Sequence, residues 1–284
     1  MNILVTGKNG QLGCEIQDLA INSQHNFIFA DSSECNIHNL ESIEANVILN
    51  KIDSIINCAA YTAVDSAEDN EMDALQTNLF GVSNIDKIAV KHNLSYIHIS
   101  TDYVFDGTKT SPYQPADATS PIGIYGTSKY LGEQVIVNSK AQAIVIRTSW
   151  LYSSHGNNFV KTMLRLGKEK ESLNVVGDQI GSPTYALDLA QACIKILDGG
   201  EFGCSQRVYH YANSGSISWF DFASRIMKEK KLNCKVNPIT TEKYPTKAKR
   251  PAYSVLNTDD IERDFAVVVP EWEKSLSDCL RKLD

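Results

Sequence analysis

Apolar residues gather along this chain in short runs: NILVT (2–6), NFIFA (26–30), DSIINCAA (53–60), LSYIHIS (94–100), AIVIRTS (143–149), LNVV (173–176) and RVYHYA (207–212). Each is about one strand long. Between them, segments 10–22, 39–50, 72–92 and 126–138 carry apolar residues at mixed spacings of three and four, the period of a helix that buries one face. Runs that are apolar throughout suit strands covered on both sides. Their alternation with helices therefore predicts an α/β fold, a doubly wound, Rossmann-like parallel sheet with helices on both faces. Sheets of this kind take ligands beyond the carboxyl ends of their strands.

Past about residue 150 the rhythm loosens. DQIGSPTY (178–185), NSGSIS (213–218) and YPTKAKRPAYS (244–254) interrupt it with turn formers and basic residues. Residues 1–150 are expected to form the main domain and to carry the reactive residues. Residues 151–284 are expected to form mostly a smaller, partly interleaved C-terminal lobe that binds substrate, with some segments returning to the first domain.

Composition narrows the partners. The 284 residues are 43% hydrophobic and 21% charged, with no apolar run near the roughly 20 residues that cross a bilayer. The N-terminus shows no basic leader followed by an apolar stretch, so a cytoplasmic protein without a membrane partner is expected. A net charge of -7 argues against nucleic acid and for a small anionic ligand met by a local pocket. The seven cysteines are odd in number and free of CxxC pairs, which suits reduced thiols, and neither they nor the six histidines show metal-ligand spacing.

Residues 3–13 read ILVTGKNGQLG, an apolar strand followed by Gly7, Gly10 and Gly13 and then by the start of a helix. In such a turn the first glycine permits the tight bend, the second lets backbone approach a pyrophosphate, and the third lets helix and strand pack closely. The helix amides then face the anion. Asp31 closes the second apolar run, where an acid commonly holds the adenosine ribose hydroxyls of a dinucleotide; a lone aspartate there reads equally as a cap. Asp31 favours NADH by repelling a 2′-phosphate, whereas Lys8 could pair with that phosphate and Ser32 and Ser33 could hydrogen-bond it. NADPH is expected, with NADH tolerated.

IYGTSK (124–129) sets Tyr125 four residues ahead of Lys129, on one face of a helix. A phenol titrates near 10 and becomes a usable acid when its anion is stabilised. Lys129 is expected to favour the phenolate, drawing its pKa down, and to hydrogen-bond a nicotinamide ribose. HISTDYVFDG (98–107) ends a strand run and offers Ser100 or Thr101 to hold a substrate oxygen. YxxxK alone is common by chance; with the glycine turn before it and STD between, it points to carbonyl reduction.

Seven stretches carry a closer likeness: GKNGQLG (7–13), NCAAYTAVDSAE (57–68), STDYVFDG (100–107), YGTSKYLGE (125–133), RTSWLY (147–152), DQIGSPT (178–184) and KRPAYSVL (249–256). Over nearly its full length the chain resembles the extended short-chain dehydrogenase/reductases and, within them, the dTDP-4-dehydrorhamnose reductases. The resemblance implies NAD(P)H-dependent reduction of the 4-keto group of a dTDP-linked 4-keto-6-deoxyhexose, giving dTDP-L-rhamnose for surface polysaccharide. It implies Tyr125 as proton donor, Lys129 as its support and Thr101 as their partner, with Ser100 supporting at most. Gly10, Gln11 and Leu12 would line the pyrophosphate and Asp31 the adenosine ribose. Asn36 and Ile37 stand at the adenine position, asparagine replacing the usual acid. Ala60, Tyr61 and Thr62 would border the nicotinamide half. On the substrate side the resemblance points to Thr101, Asp102 and Trp150, the last of which reads as core on its own. Asn158, Gln179, Lys249 and Arg250 are polar groups that could meet thymidine and diphosphate, or be solvated.

Some relatives form dimers around magnesium held by glutamates. Glu15 stands at the matching place, but Ala190 and its neighbours in LDLAQA supply no glutamate. A homodimer is therefore carried as an expectation and the metal is not. A 4,6-dehydratase on the same scaffold would place a second acid after Asp102, where this chain has Tyr103, and epimerases are longer at the C-terminus. A reductase of another dTDP-4-keto-6-deoxy sugar and a noncatalytic regulatory subunit of methionine adenosyltransferase are the competing readings; intact Thr101, Tyr125 and Lys129 favour an enzyme.

Overall fold

The computed structural model describes residues 1–199, 202 and 207–283. In chain order the elements are β1 (Asn2–Thr6), α1 (Gln11–Ala20), β2 (Asn26–Ala30), α2 (Leu40–Asn50), β3 (Ser54–Asn57), α3 (Val64–Ala67), α4 (Glu71–Leu75), α5 (Val82–His92), β4 (Ser95–Thr101), α6 (Ile124–Val137) and β5 (Gln142–Thr148). There follow β6 (Leu151–Tyr152), α7 (Phe159–Glu169), β7 (Ser172–Val176), β8 (Ile180–Gly181), β9 (Thr184–Tyr185), α8 (Ala186–Gly199), β10 (Val208–His210), β11 (Ile217–Ser218), α9 (Trp219–Glu229), β12 (Lys235–Ile239), α10 (Asp259–Phe265) and α11 (Trp272–Arg281).

Six strands pair in parallel in the order β10-β5-β4-β3-β1-β2. The chain leaves β1 to one side for β2 and returns to the other side for β3. A crevice opens at that reversal, beyond the carboxyl ends of both strands. Alternate strand residues feed two cores. Ile3, Val5, Ile144 and Ile146 pack with α1, α8 and α10 on one face, whereas Leu4, Ile55, Tyr96 and Val145 pack with α2, α5 and α6 on the other. Continuous apolar strands are what a two-sided core demands.

A third cluster joins α7, α9 and α11 around Phe222, Ile226 and Leu276. LNVV (173–176) belongs here and not to the main sheet: β7 pairs in parallel with β12. Only its last two residues are buried, so it suits a sheet covered on one side, and its partner KVNPI carries a proline and an asparagine that hid it as a strand. Six described cysteines are free thiols, and Cys204 lies outside the described residues. No helix among the described residues is long and apolar enough to cross a membrane.

Segment 72–92, expected as one helix, is interrupted by a turn of π-helix at Gln76–Gly81. The wider turn carries buried Asn78, whose Oδ1 accepts the Tyr61 N–H at 2.9 Å and whose Nδ2 donates to the Tyr61 carbonyl at 3.1 Å and to Ser128 Oγ at 3.0 Å. One side chain thus fixes the loop after β3 to α6. The approach is close enough that a Cβ at position 132 would overlap the Asn78 carbonyl oxygen. Gly132→Ala is expected to lower the unfolding free energy by about 1–3 kcal/mol, although alanine gains roughly 1 kcal/mol over glycine in a helix. Urea titration checks it; an unchanged midpoint would mean that α6 shifts away freely.

Candidate active site

β1 delivers the chain into the turn at Gly7, whose φ of +70° belongs to the left-handed region. A Cβ there would sit 2.7 Å from the Ala59 backbone nitrogen, so only glycine lets the turn lie against the end of β3. Gly10 then donates to the Gly7 carbonyl at 3.0 Å, and α1 begins at Gln11 with no side chain capping its amides. These amides open toward a cavity of 590 Å³ that runs from Asn9–Gly13 past Ala60 and Thr62 to Thr101, Asp102, Tyr125, Lys129 and Trp150.

Thr101 ends β4, and Tyr125 and Lys129 lie on consecutive turns at the start of α6. The structure brings all three to one end of the cavity. Lys129 is 2% exposed; its Nζ donates to the Ile99 carbonyl at 2.6 Å and lies 3.3 Å from His98 Nε2. Burial lowers its pKa to about 8, opposed by the nearby Glu133 and Cys58. For Tyr125 the expectation needs correction. Burial pushes its pKa up, a hydrogen bond from Thr101 works the other way, and Asp102 and Tyr103 add to the rise. Lys129 is not among the groups that draw the phenol down; one N–H of its Nζ is held by the Ile99 carbonyl of β4. Ser100 also borders the cavity, but its hydroxyl donates to Glu133 Oε1.

At the end of β2, Asp31 accepts the Ser33 hydroxyl at 2.6 Å, the Ser33 N–H at 2.9 Å and Asn9 Nδ2 at 3.2 Å. Those Ser33 bonds first, with Lys8 and Asn9 adding, lower its pKa to about 2. Lys8 pairs with Glu34 at 2.5 Å and lies 3.6 Å from Asp31. Asn36 Oδ1 accepts the His38 N–H. Ile37 is a core residue, 5% exposed and packed against Gly81, so it offers no open face to a ring. Tyr61 is held through its backbone by Asn78.

On the opposite side, Trp150 takes φ +47° and stacks on Trp219 at 3.5 Å between centroids, with planes 9° apart. A second cavity of 400 Å³, sharing Tyr103 and Trp219 with the first, is lined by Phe159, Gln179, Tyr244 and Arg250. Arg250 is not a solvated loop charge: it pairs with Asp65 at 2.6 Å and donates to Tyr103 OH at 3.0 Å. Gln179 is buried and donates to Thr241 Oγ1. Lys249 is exposed. Asn158 lines the first cavity, its amide capping α7 through Lys161 N–H and donating to Gln11 Oε1 and the Ser153 carbonyl. Asp102 is buried with Oδ2 lacking any hydrogen-bond partner, and burial pushes its pKa up to about 6. Glu15 is fully buried and accepts from Ser153 Oγ at 2.6 Å. Sequence reasoning missed Trp219, Tyr103 and Asp65 as site residues; Tyr103 stood inside the STDYVF stretch and Asp65 inside NCAAYTAVDSAE, while nothing local marked Trp219.

The family described as RmlD substrate binding domain matches residues 1–284. A dTDP-4-dehydrorhamnose reductase of Aggregatibacter actinomycetemcomitans is 40% identical over 283 residues, 96% of each chain. The crystal structure of a dTDP-4-dehydrorhamnose reductase from Clostridium acetobutylicum has a TM-score of 0.95 to this chain at 38% identity, covering 100% of this chain and 99% of that one. The Bacillus anthracis dTDP-4-dehydrorhamnose reductase in complex with NADP has a TM-score of 0.94 at 37% identity, covering 99% of each.

An unfolded lysine titrates near 10.5 and Lys129 near 8. Between those values the unfolded chain binds more protons, so the Lys129 contribution to stability becomes more favourable as pH rises through that window. Urea midpoints should show the native chain gaining on Lys129→Met from about pH 8 to about pH 10. A constant gap would return Lys129 to its usual pKa.

Proposed function

The chain belongs to the RmlD substrate binding domain family, and from that premise we propose that it reduces the 4-keto group of dTDP-4-dehydro-β-L-rhamnose to give dTDP-L-rhamnose. It is a nicotinamide-dependent oxidoreductase acting on a dTDP-linked sugar. The observation that carries the finer reading is the meeting of Thr101, Tyr125 and Lys129 in the cavity that begins at the glycine turn. The residues fit a dinucleotide: the turn at Gly7 leaves only backbone where a Cβ would strike Ala59, and the α1 amides stand uncapped. When bound, the reduced nicotinamide supplies the hydride that reaches carbon 4 of the sugar.

The chain's own residues handle the proton. A reduction needs a donor that arrives protonated, and burial keeps the proton on Tyr125 until negative charge develops on the carbonyl oxygen. Thr101 fixes the phenol and shares the substrate oxygen. Lys129 is charged at neutral pH and, as the stronger acid of the two, returns a proton to the phenolate left behind. The unpartnered Asp102 Oδ2 gives a sugar hydroxyl an acceptor that is otherwise stranded. Trp150 and Trp219 wall the sugar, and Arg250 with Gln179 reads the nucleotide diphosphate in the second cavity.

NADPH is the proposed cofactor with NADH accepted. Asp31, Glu34 and Lys8 together carry one net negative charge, so a 2′-phosphate binds only if Lys8 leaves Glu34 for it. Lys8→Ala should weaken NADPH binding about tenfold or more, the loss of one charged hydrogen bond, and leave NADH within about twofold. Equal losses for both cofactors would remove Lys8 from phosphate recognition.

Incubating the purified protein with NADPH and dTDP-4-dehydro-L-rhamnose should oxidise the cofactor and yield dTDP-L-rhamnose. Tyr125→Phe should cut turnover by about 10²-fold or more while the cofactor still binds, since the ring remains and only the hydroxyl that carries the proton is lost. Undiminished turnover in that variant would take Tyr125 out of the chemistry. No oxidation by the native chain, alongside tight association with a methionine adenosyltransferase, would favour the regulatory reading.

A further inference from the structure

A row of polar side chains crosses the apolar centre of the sheet. Thr6, Asn57 and His98 are direct neighbours on β1, β3 and β4, each at most 1% exposed. They share the face on which Leu4, Ile55 and Tyr96 enter the core. Thr6 Oγ1 donates to Asn57 Oδ1 at 2.7 Å, Asn57 Nδ2 lies 3.0 Å from His98 Nδ1, and His98 Nε2 lies 3.3 Å from Lys129 Nζ. The row starts one residue before the glycine turn and ends on the lysine. Polar groups this deep are tolerated when every member is satisfied.

We propose that His98 is a positioning residue for Lys129: a neutral imidazole, oriented by Asn57 and Thr6, whose Nε2 accepts one N–H of the ammonium and leaves another aimed into the cavity. The role rests on the reductase reading. An ammonium has three N–H groups, and the Ile99 carbonyl takes one of them at 2.6 Å. For Nε2 to accept a second, the Asn57 amide must turn over from the orientation in the structure, so that its oxygen accepts an Nδ1–H of the ring and its nitrogen faces Thr6 Oγ1. With the amide as it stands, Thr6 donates to Asn57 and Asn57 to Nδ1, which points an Nε2–H at Lys129 that only a neutral amine can accept. The row therefore has two self-consistent directions, one for each charge state of the lysine. His98 does not titrate between them, since burial first and then Lys129 hold its pKa well below the usual value. Facing Lys129 are His98 from β4, Cys58 from the loop after β3, and Tyr125 and Glu133 from α6; Glu133 and Cys58 favour the charged form.

Nitrogen-15 histidine NMR of the native protein near neutral pH should show His98 with its proton on Nδ1, passing to Nε2 through a midpoint near 8. An Nε2–H ring at neutral pH overturns the proposal, and this measurement needs no variant. In turnover, His98→Phe removes an acceptor from a charged donor and should move the alkaline limb of kcat/KM down by about one to two pH units. His98→Gln, which keeps an acceptor, should restore the limb. Both variants melting lower with the limb unmoved would leave His98 a packing residue. A native protein that turns over no 4-keto sugar fails the reductase reading, while the tautomer measurement still stands on its own.

Discussion

Withdrawing an ammonium from water is the constraint around which this site is organised. An isolated buried charge loses several kcal/mol of hydration that protein dipoles must replace. Lys129 finds the replacement in the Ile99 carbonyl, in His98 and in the field of Glu133. Burial still outweighs them, so its pKa falls to about 8 while the same burial pushes Tyr125 up. The two shifts run in opposite senses and make Lys129 a stronger acid than Tyr125. A phenolate formed when Tyr125 protonates a substrate is then restored downhill from the lysine side, which suits a reductase that must reload its donor each cycle.

Holding that lysine requires α6 to sit hard against the sheet. Glu133, one turn after Lys129, receives Arg147 from β5 through two bonds of 3.0 and 2.7 Å and the Ser100 hydroxyl from β4. Arg147 also donates to the Pro115 carbonyl and lies 5.0 Å from the Phe105 ring centroid. On the helix's other side, Asn78 reaches Ser128 from the π-turn. A buried ion pair of this sort adds little stability over apolar packing. Its consequence is geometric: the helix start cannot slide along β4, so Tyr125 stays beside Thr101.

The legible parts of this molecule were those whose signals are local. Central strands announce themselves by continuous apolar runs, the glycine turn by its spacing, and Tyr125 with Lys129 by the four-residue step of a helix. What failed depended on contacts remote in sequence. The shift of Tyr125 followed from how deeply α6 is buried, which no spacing reveals. Ile37 looked like an adenine neighbour and is core because Gly81 leaves room for it. Asn158 lines the cavity as expected of a ligand residue and also caps α7, a second duty decided by where the α7 amides point. Trp150 reads as core by its chemistry; the left-handed backbone that lays it on Trp219 has no signature in the residues beside it.

Tyr103 shows how one residue can separate chemistries on a shared scaffold. It follows Asp102 where a dehydratase would need a second acid to move protons at the neighbouring sugar carbons. Burial raises its pKa, so it stays a neutral phenol and cannot serve as a base near neutral pH. Its ring meets Tyr125 edge-on at 5.5 Å, and its hydroxyl accepts from Arg250, which is paired in turn with Asp65. In the proposed reductase this links the two cavities. A diphosphate drawing on Arg250 would pull on the residue that packs against the proton donor, so that nucleotide recognition and the placing of Tyr125 are met by one chain of contacts.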